Sequence, residues 1–313
     1  MNQENSVINL EVTLGPLKLP NPVMVASGTF GYGLEYSSLL DISKLGGIVV
    51  KGLSLKPRPG NPPPRIVETC AGLINSIGLE NVGVEDFINK KLPLLLKRDV
   101  PVIVNILGNT VEEYAEVGNI LSDAEGISAL EINISCPNVK SGGIIFGTDP
   151  KQAYNVVSAV RKNTSLPLIT KLTPNVTDIG MMAKVVVEAG TDIISAINTV
   201  SAMAVDINTR KPKLANVFGG LSGPAIKPIA LKKVWDVVNT VDVPVIGIGG
   251  ISSYEDALEF LLIGAQAIQV GTANFINPGT SIEIIEGIRS FLERNNIDDI
   301  NKFIGSLELD TAK

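Results

Sequence analysis

Eight short runs dense in Val, Ile and Leu recur along the chain, at 22–28, 47–52, 101–108, 129–136, 166–173, 192–199, 243–250 and 267–273. No other feature limits the fold so tightly. The runs are apolar throughout rather than alternating, the pattern of parallel strands covered on both faces. Amphipathic stretches of helical length lie between most of them, at 111–121, 150–162, 178–189, 226–240 and 252–263, and 280–294 closes the series. Strands alternating with helices predict parallel βαβ units. Eight such units in 313 residues predict a (β/α)8 TIM barrel, a fold of about 250 residues, plus extensions. The chain is expected to form a single domain over 1–313, with 1–20 as an N-terminal hairpin extension. Within it, residues 7–19 alternate apolar and polar about Gly15-Pro16 and should close the bottom of the barrel.

Local signals fix several boundaries. Asp149 is placed to cap a helix with Pro150 at its first position, and Ser252-Ser253-Tyr254-Glu255 reads as a capping box. Three βα connections, 53–83, 137–149 and 200–225, exceed the usual two to six residues, and long loops in a compact fold tend to be functional. The first is stiffened by Pro57, Pro59, Pro62, Pro63 and Pro64; the second carries Gly142, Gly143 and Gly147 and reads as mobile.

Composition removes whole classes of function. A net charge of −6 argues against non-specific binding to nucleic acid or anionic lipid, although local lysines can still attract a small anion. No apolar run approaches the ~18–20 residues of a membrane span, and the polar start Met1–Ser6 is not a signal peptide, so a cytoplasmic protein is expected. With two cysteines and no histidine, a disulfide framework, a Cys/His zinc site, a histidine triad and an iron–sulfur cluster held by this chain alone are all excluded. No metal site is predicted. Proton transfer falls to Cys, Lys, Asp, Glu, Tyr, a hydroxyl or water.

A parallel barrel gathers the C-terminal ends of its strands on one face, where such barrels do chemistry. Here those ends carry Ser27, Lys51, Asn105, Cys136, Lys171, Asn198 with Thr199, and Thr272. Strands seven and eight end in Gly247-Ile-Gly-Gly250 and Gly271-Thr272, each leading towards a helix start. Glycines there let backbone N–H groups approach a phosphate, on a substrate or a cofactor, where α/β barrels usually hold one. Lys171 sits in a buried-strand register, which is costly unless the ammonium meets an anion or water. At ~4 Å and an effective dielectric near 20, one opposite charge is worth about 4 kcal/mol, enough to favour the anionic reduced form of a redox cofactor. Lys51 repeats the situation. A lone cysteine is ordinarily an inert small hydrophobe, but Cys136 opens the glycine-rich loop on the active face and is the leading proton-transfer candidate. Cys70 reads as structural. Asn75, Asn105, Asn133, Asn138 and Asn198 offer paired donors and acceptors suited to a flat ligand edged with imide or amide groups.

Together these segments resemble the dihydroorotate dehydrogenase family. The matching runs are Ala-Ser-Gly-Thr-Phe-Gly-Tyr-Gly at 26–33, Val-Lys-Gly at 50–52, Asn-Ser-Ile-Gly-Leu at 75–79, Asn-Ile-Ser-Cys-Pro-Asn at 133–138, Ile-Asn-Thr at 197–199, Gly-Ile-Gly-Gly at 247–250 and Gly-Thr at 271–272. They span nearly the whole chain in the family's order. The run 136–147 is similar to that of the NAD-dependent class 1B catalytic subunits, whereas membrane-associated class 2 members carry serine at the base position. One departure, Glu68-Thr-Cys70 where a proline-containing stretch is expected, touches no functional position.

The resemblance implies one FMN per chain held by Ser27, Lys51, Gly52, Asn105, Asn133, Lys171, Ile197, Gly223, Gly249, Gly250, Gly271 and Thr272. It implies that dihydroorotate meets Lys51, Asn75, Ser76, Ile77, Gly78, Leu79, Asn133, Asn138, Asn198 and Thr199, with Cys136 as catalytic base and Lys51 beside it. The implied reaction is oxidation of (S)-dihydroorotate to orotate in UMP synthesis, with hydride passing to FMN. Electrons would reach NAD+ through an electron-transfer subunit holding FAD and a [2Fe–2S] cluster, in a heterotetramer of two plus two chains around a homodimer core. Three readings compete: a fumarate-dependent class 1A-type homodimer, an FMN barrel acting on another dihydropyrimidine, and a barrel that only binds a phosphorylated ligand.

Overall fold

The computed structural model describes residues 8–134 and 146–309. In chain order its elements begin with a hairpin, β1 (Val12–Leu14) and β2 (Leu17–Leu19), followed by β3 (Val23–Val25), β4 (Gly47–Leu53), β5 (Ile66–Thr69) and β6 (Gly72–Asn75). Short helices α1 (Val84–Asp86) and α2 (Leu92–Leu95) flank a π turn, and β7 (Val102–Ile106), α3 (Val111–Ser122), β8 (Ala129–Asn133), α4 (Pro150–Arg161), β9 (Leu168–Leu172), α5 (Ile179–Glu188) and β10 (Ile193–Ala196) follow. The last third holds β11 (Val200–Met203), β12 (Val205–Asp206), β13 (Lys211–Pro212), β14 (Phe218–Ser222), α6 (Lys227–Val238), β15 (Val245–Ile248), α7 (Tyr254–Leu262), β16 (Ala267–Val270), α8 (Ala273–Ile276) and α9 (Thr280–Arg294).

Strands β3, β4, β7, β8, β9, β10, β15 and β16 form a closed parallel barrel, sealed where β16 pairs with β3 through Ile268 and Val23. These are the eight runs read from the sequence. Their burial explains the pattern: β7 and β9 have no exposed residue at all, because barrel interior and helical shell cover opposite faces. Side chains of Thr110, Asp149, Asp178 and Ser253 cap α3, α4, α5 and α7 by accepting a backbone N–H of the first turn. Asp149 and Pro150 fall where expected. The capping box lies one residue later than its sequence reading: Ser253 is the cap and Asp256, not Glu255, answers it. The shift lets the Asp256 carboxylate take the Ser252 and Ser253 N–H groups as well as the Lys227 ammonium.

Both ends of the barrel are covered. Below, Leu14, Leu17 and Leu19 of the hairpin are buried, and Gly15 at its turn lies beside the Asp192 carbonyl, just before β10. Above, the long connections after β4 and β10 fold together into a four-stranded antiparallel sheet in the order β11-β14-β6-β5. A side chain at Gly72 or Gly219 would collide with the facing backbone at Ser222 or Asn75, so glycine there permits the close strand approach. Among the described residues no helix is long and apolar enough to cross a membrane.

Candidate active site

The barrel mouth and the accessory sheet enclose one large cavity. Of the residues singled out in the sequence, it is lined by Ser27, Lys51, Gly52, Asn75, Ile77, Gly78, Leu79, Asn105, Asn133, Lys171, Ile197, Asn198, Thr199, Gly223, Gly249, Gly250, Gly271 and Thr272. Ser76 differs. It is fully buried and absent from the lining, because its backbone N–H bonds the Arg65 carbonyl and, in an extended segment, its side chain points opposite to those of Asn75 and Ile77. Cys136 and Asn138 lie outside the described residues.

The cavity floor is a buried polar cluster. Lys171, 4% exposed, is the last residue but one of β9, with its ammonium 3.6 Å from Glu131 Oε1 and 3.4 Å from the Ser27 hydroxyl. Asn105 Nδ2 donates to the same Glu131 oxygen at 2.6 Å. The other carboxylate oxygen accepts from Ser195 Oγ and Gln269 Nε2, each at 2.9 Å. Glu131, Ser195 and Gln269 were not singled out in the sequence. A signal existed, since a carboxylate inside the apolar run 129–133 poses the same cost that drew attention to Lys171.

Two glycine turns on adjacent strands form one wall. β15 and β16 pair through Ile248 and Gln269, which brings Gly249-Gly250 next to Gly271-Thr272. Gly250 has φ 75°, and a Cβ there would lie 2.7 Å from the Lys227 backbone nitrogen. The Thr272 hydroxyl meets Ser222 Oγ at 2.8 Å, tying this wall to the accessory sheet. The helix ends contribute less than the sequence suggested. The N–H groups of residues 252, 253 and 256 are already taken by capping side chains, and α8 is a single turn. An anion here would rest on the glycine backbone.

The opposite wall is the mouth. Burial holds the Lys51 ammonium below the usual lysine range, and the nearby Glu80 carboxylate pulls it part of the way back. Glu80, a cavity residue missed in the sequence, pairs with Arg65 at 2.5 Å. Asn198 Nδ2 approaches Asn133 Oδ1 at 3.4 Å, and Tyr114 of α3 holds the Asn133 carbonyl at 2.7 Å.

These residues fit a flat, phosphorylated, electron-accepting group such as a flavin mononucleotide. Asn105 Oδ1 is buried without a hydrogen-bond partner at the cavity floor, which leaves an acceptor for a ligand N–H. Gly249, Gly250, Gly271 and Thr272 line the same cavity as Lys171, and backbone N–H groups at such glycine turns can take a phosphate. The fold and cavity define an α/β barrel with a ligand-sized cavity at the C-terminal ends of its strands. A family model for dihydroorotate dehydrogenase matches residues 9–292, and the chain belongs to that family. It is similar to proteins named dihydroorotate dehydrogenase B (NAD(+)), catalytic subunit, in several bacteria. One from Thermoanaerobacter sp. (strain X514) is 55% identical over 303 residues, 97% of this chain and 100% of the relative. One from Geotalea daltonii is 56% identical over 301 residues, 96% of this chain and 99% of the relative. One from Trichlorobacter lovleyi is 58% identical over 299 residues, 96% and 98% respectively.

Proposed function

We propose that this chain is the catalytic subunit of a dihydroorotate dehydrogenase, oxidising (S)-dihydroorotate to orotate in pyrimidine synthesis and delivering the electrons to NAD+ through a separate subunit. One observation carries the reading: Lys171, the unsatisfied Asn105 oxygen and the paired glycine turns converge on a single cavity in a chain matched over nearly its full length by NAD(+)-type relatives.

FMN would be held by Ser27, Gly52, Asn105, Lys171 and Ile197 around its ring, and by Gly223, Gly249, Gly250, Gly271 and Thr272 around its phosphate. When bound, FMN supplies the acceptor for the hydride leaving C6 of dihydroorotate. Lys51, Asn75, Asn133 and Asn198 bind and orient the substrate through its carboxylate and amide edges, with the backbone of 77–79 shaping the mouth. Cys136 takes the proton from C5, so hydride and proton together account for the two electrons and two protons lost. Only the thiolate can take that proton, so the step should quicken as alkaline pH ionises the thiol. Lys171 meets the negative charge that arrives with the hydride. The electron-transfer subunit would carry FAD and a [2Fe–2S] cluster, two of each chain assembling around a homodimer of this one.

The visible spectrum of the purified chain, before and after anaerobic dihydroorotate, tests the reading. Yellow protein bleached by dihydroorotate and not by dihydrouracil is expected. Colourless protein would overturn it. The lone chain should reduce NAD+ only when the electron-transfer subunit is added, and unaided turnover with fumarate would move it to the class 1A type. Cys136→Ser should keep the flavin and lose turnover most severely near neutral pH; unchanged turnover would remove the base assignment.

A further inference from the structure

Glu131 stands where a barrel interior is ordinarily aliphatic. Its carboxylate, 0% exposed on β8, accepts hydrogen bonds from Asn105 on β7, Ser195 on β10 and Gln269 on β16, and it faces Lys171 on β9. Fold stability alone does not explain such a cluster, since apolar replacements of buried ion pairs are often neutral or stabilising. Its geometry has a direct consequence for the cavity. An ionised carboxylate only accepts, so Asn105 must turn its amide nitrogen towards Glu131 and its oxygen away. That oxygen is the buried atom left unpartnered beneath Gly52, where a Cβ would lie 2.7 Å from it. The same carboxylate sits beside the ammonium that reaches Ser27.

We propose that Glu131 is a positioning residue that acts through its neighbours: it presents Asn105 as an acceptor to the cofactor and offsets part of the Lys171 charge that the cofactor feels. This rests on the flavin reading above and adds to it. A bare buried ammonium beside a flavin would stabilise the reduced, anionic ring and hold its electrons back from the next carrier. A fixed anion behind the ammonium lessens that hold.

The test is the reduction equilibrium of the bound flavin against a reference dye, followed by absorbance at one fixed pH. Glu131→Gln should raise the two-electron reduction constant about tenfold, a shift of about 30 mV to more positive potential. Ser195→Ala, which removes one donor and leaves the carboxylate charged, should stay within about twofold of the parent. Glu131→Gln unchanged or shifted to more negative potential, or Ser195→Ala shifted as far as Glu131→Gln, would overturn the proposal. If Glu131→Gln does not fold with flavin bound, Glu131→Asp is read in its place. Its carboxylate is drawn back from Lys171 by one methylene, so a smaller shift in the same direction supports the role. No shift, or loss of flavin in that variant too, assigns Glu131 to the scaffold and overturns it. A flavin-free parent would sink the functional reading itself, whereas a yellow parent with unshifted variants removes only the role of Glu131.

Discussion

Replacing Lys171 with Met measures how far the cavity floor depends on its ion pair. The ammonium and carboxylate lie 3.6 Å apart, with the two side chains 6% and 0% exposed. At an effective dielectric near 20, unit charges at that distance attract by about 4.6 kcal/mol. Met nearly matches the lysine stem in volume, so the cavity contribution is small. The loss comes from stranding Glu131, and removing one partner of a buried pair generally costs about 3–5 kcal/mol. Asn105, Ser195 and Gln269 still donate to the carboxylate, which places the expected cost near the lower end, about 3 kcal/mol. At about 2.1 cal/mol/K per residue, 313 residues unfold with an entropy of about 0.66 kcal/mol/K, so Tm should fall by about 5 °C. Scans on flavin-stripped protein keep lost ligand binding out of the difference. The decisive comparison is the double variant Glu131→Gln with Lys171→Met, which removes both charges and should recover most of the loss. A single variant within about 1 °C of the parent, or a double variant no more stable than the single, would refute the reasoning.

Gly250→Ala forces an L-residue to φ 75° with its Cβ 2.7 Å from the Lys227 backbone, so it should cost about 1–3 kcal/mol and lower the fraction of flavin retained after dialysis. Lys51→Met should weaken orotate binding by about 1.5–3 kcal/mol, or ten- to 150-fold, in a titration followed by flavin absorbance. The pH dependence of stability has a definite sign at Lys51. Its folded-state pKa is lowered from 10.5 by burial, so the unfolded chain binds the extra proton and stability rises as pH climbs through that window. Lys51→Met should flatten this rise in alkaline thermal scans. Asp256→Asn loses a carboxylate that caps α7 and pairs with Lys227 at 2.7 Å, and should lower stability by about 1–2 kcal/mol in the same scans.

What was legible in the sequence follows from what is local. The barrel strands are written as uninterrupted apolar runs because both faces of each strand are covered, and Asp149-Pro150 marks a helix start through its own backbone chemistry. The accessory sheet is not written locally. β6 pairs with β14 through Ile74 and Leu221, partners far apart in the chain and neither in a run of distinctive pattern, so 53–83 and 200–225 read only as long loops. The capping-box pattern fits both Ser252 and Ser253, and tertiary pairing of Asp256 with Lys227 favours the second. Strand-end polar residues are legible because the barrel itself fixes where they point. Glu131 lies mid-strand, below the rim where the barrel fold points to chemistry, so position alone does not mark it.

On the proposed reading the barrel supplies the electron-accepting floor, and the accessory sheet adds substrate contacts to those that Lys51 and Asn133 make from barrel strands. Asn105, Glu131 and Lys171 sit on barrel strands and are linked from strand to strand; Asn105 and Lys171 would face the cofactor, with Glu131 behind them. Asn75, Leu79, Glu80 and Thr199 sit on or beside the accessory sheet and face the substrate. The two parts touch through Thr272 and Ser222 and through the close approach of Gly72 to Gly223. Part of the substrate's surroundings can therefore change with the sheet and its turns, while the electron-accepting floor stays intact. Altering the floor instead shifts the energy of the electrons without changing which molecule donates them. This is how one barrel can retain its redox chemistry while the loops at its mouth redefine the substrate.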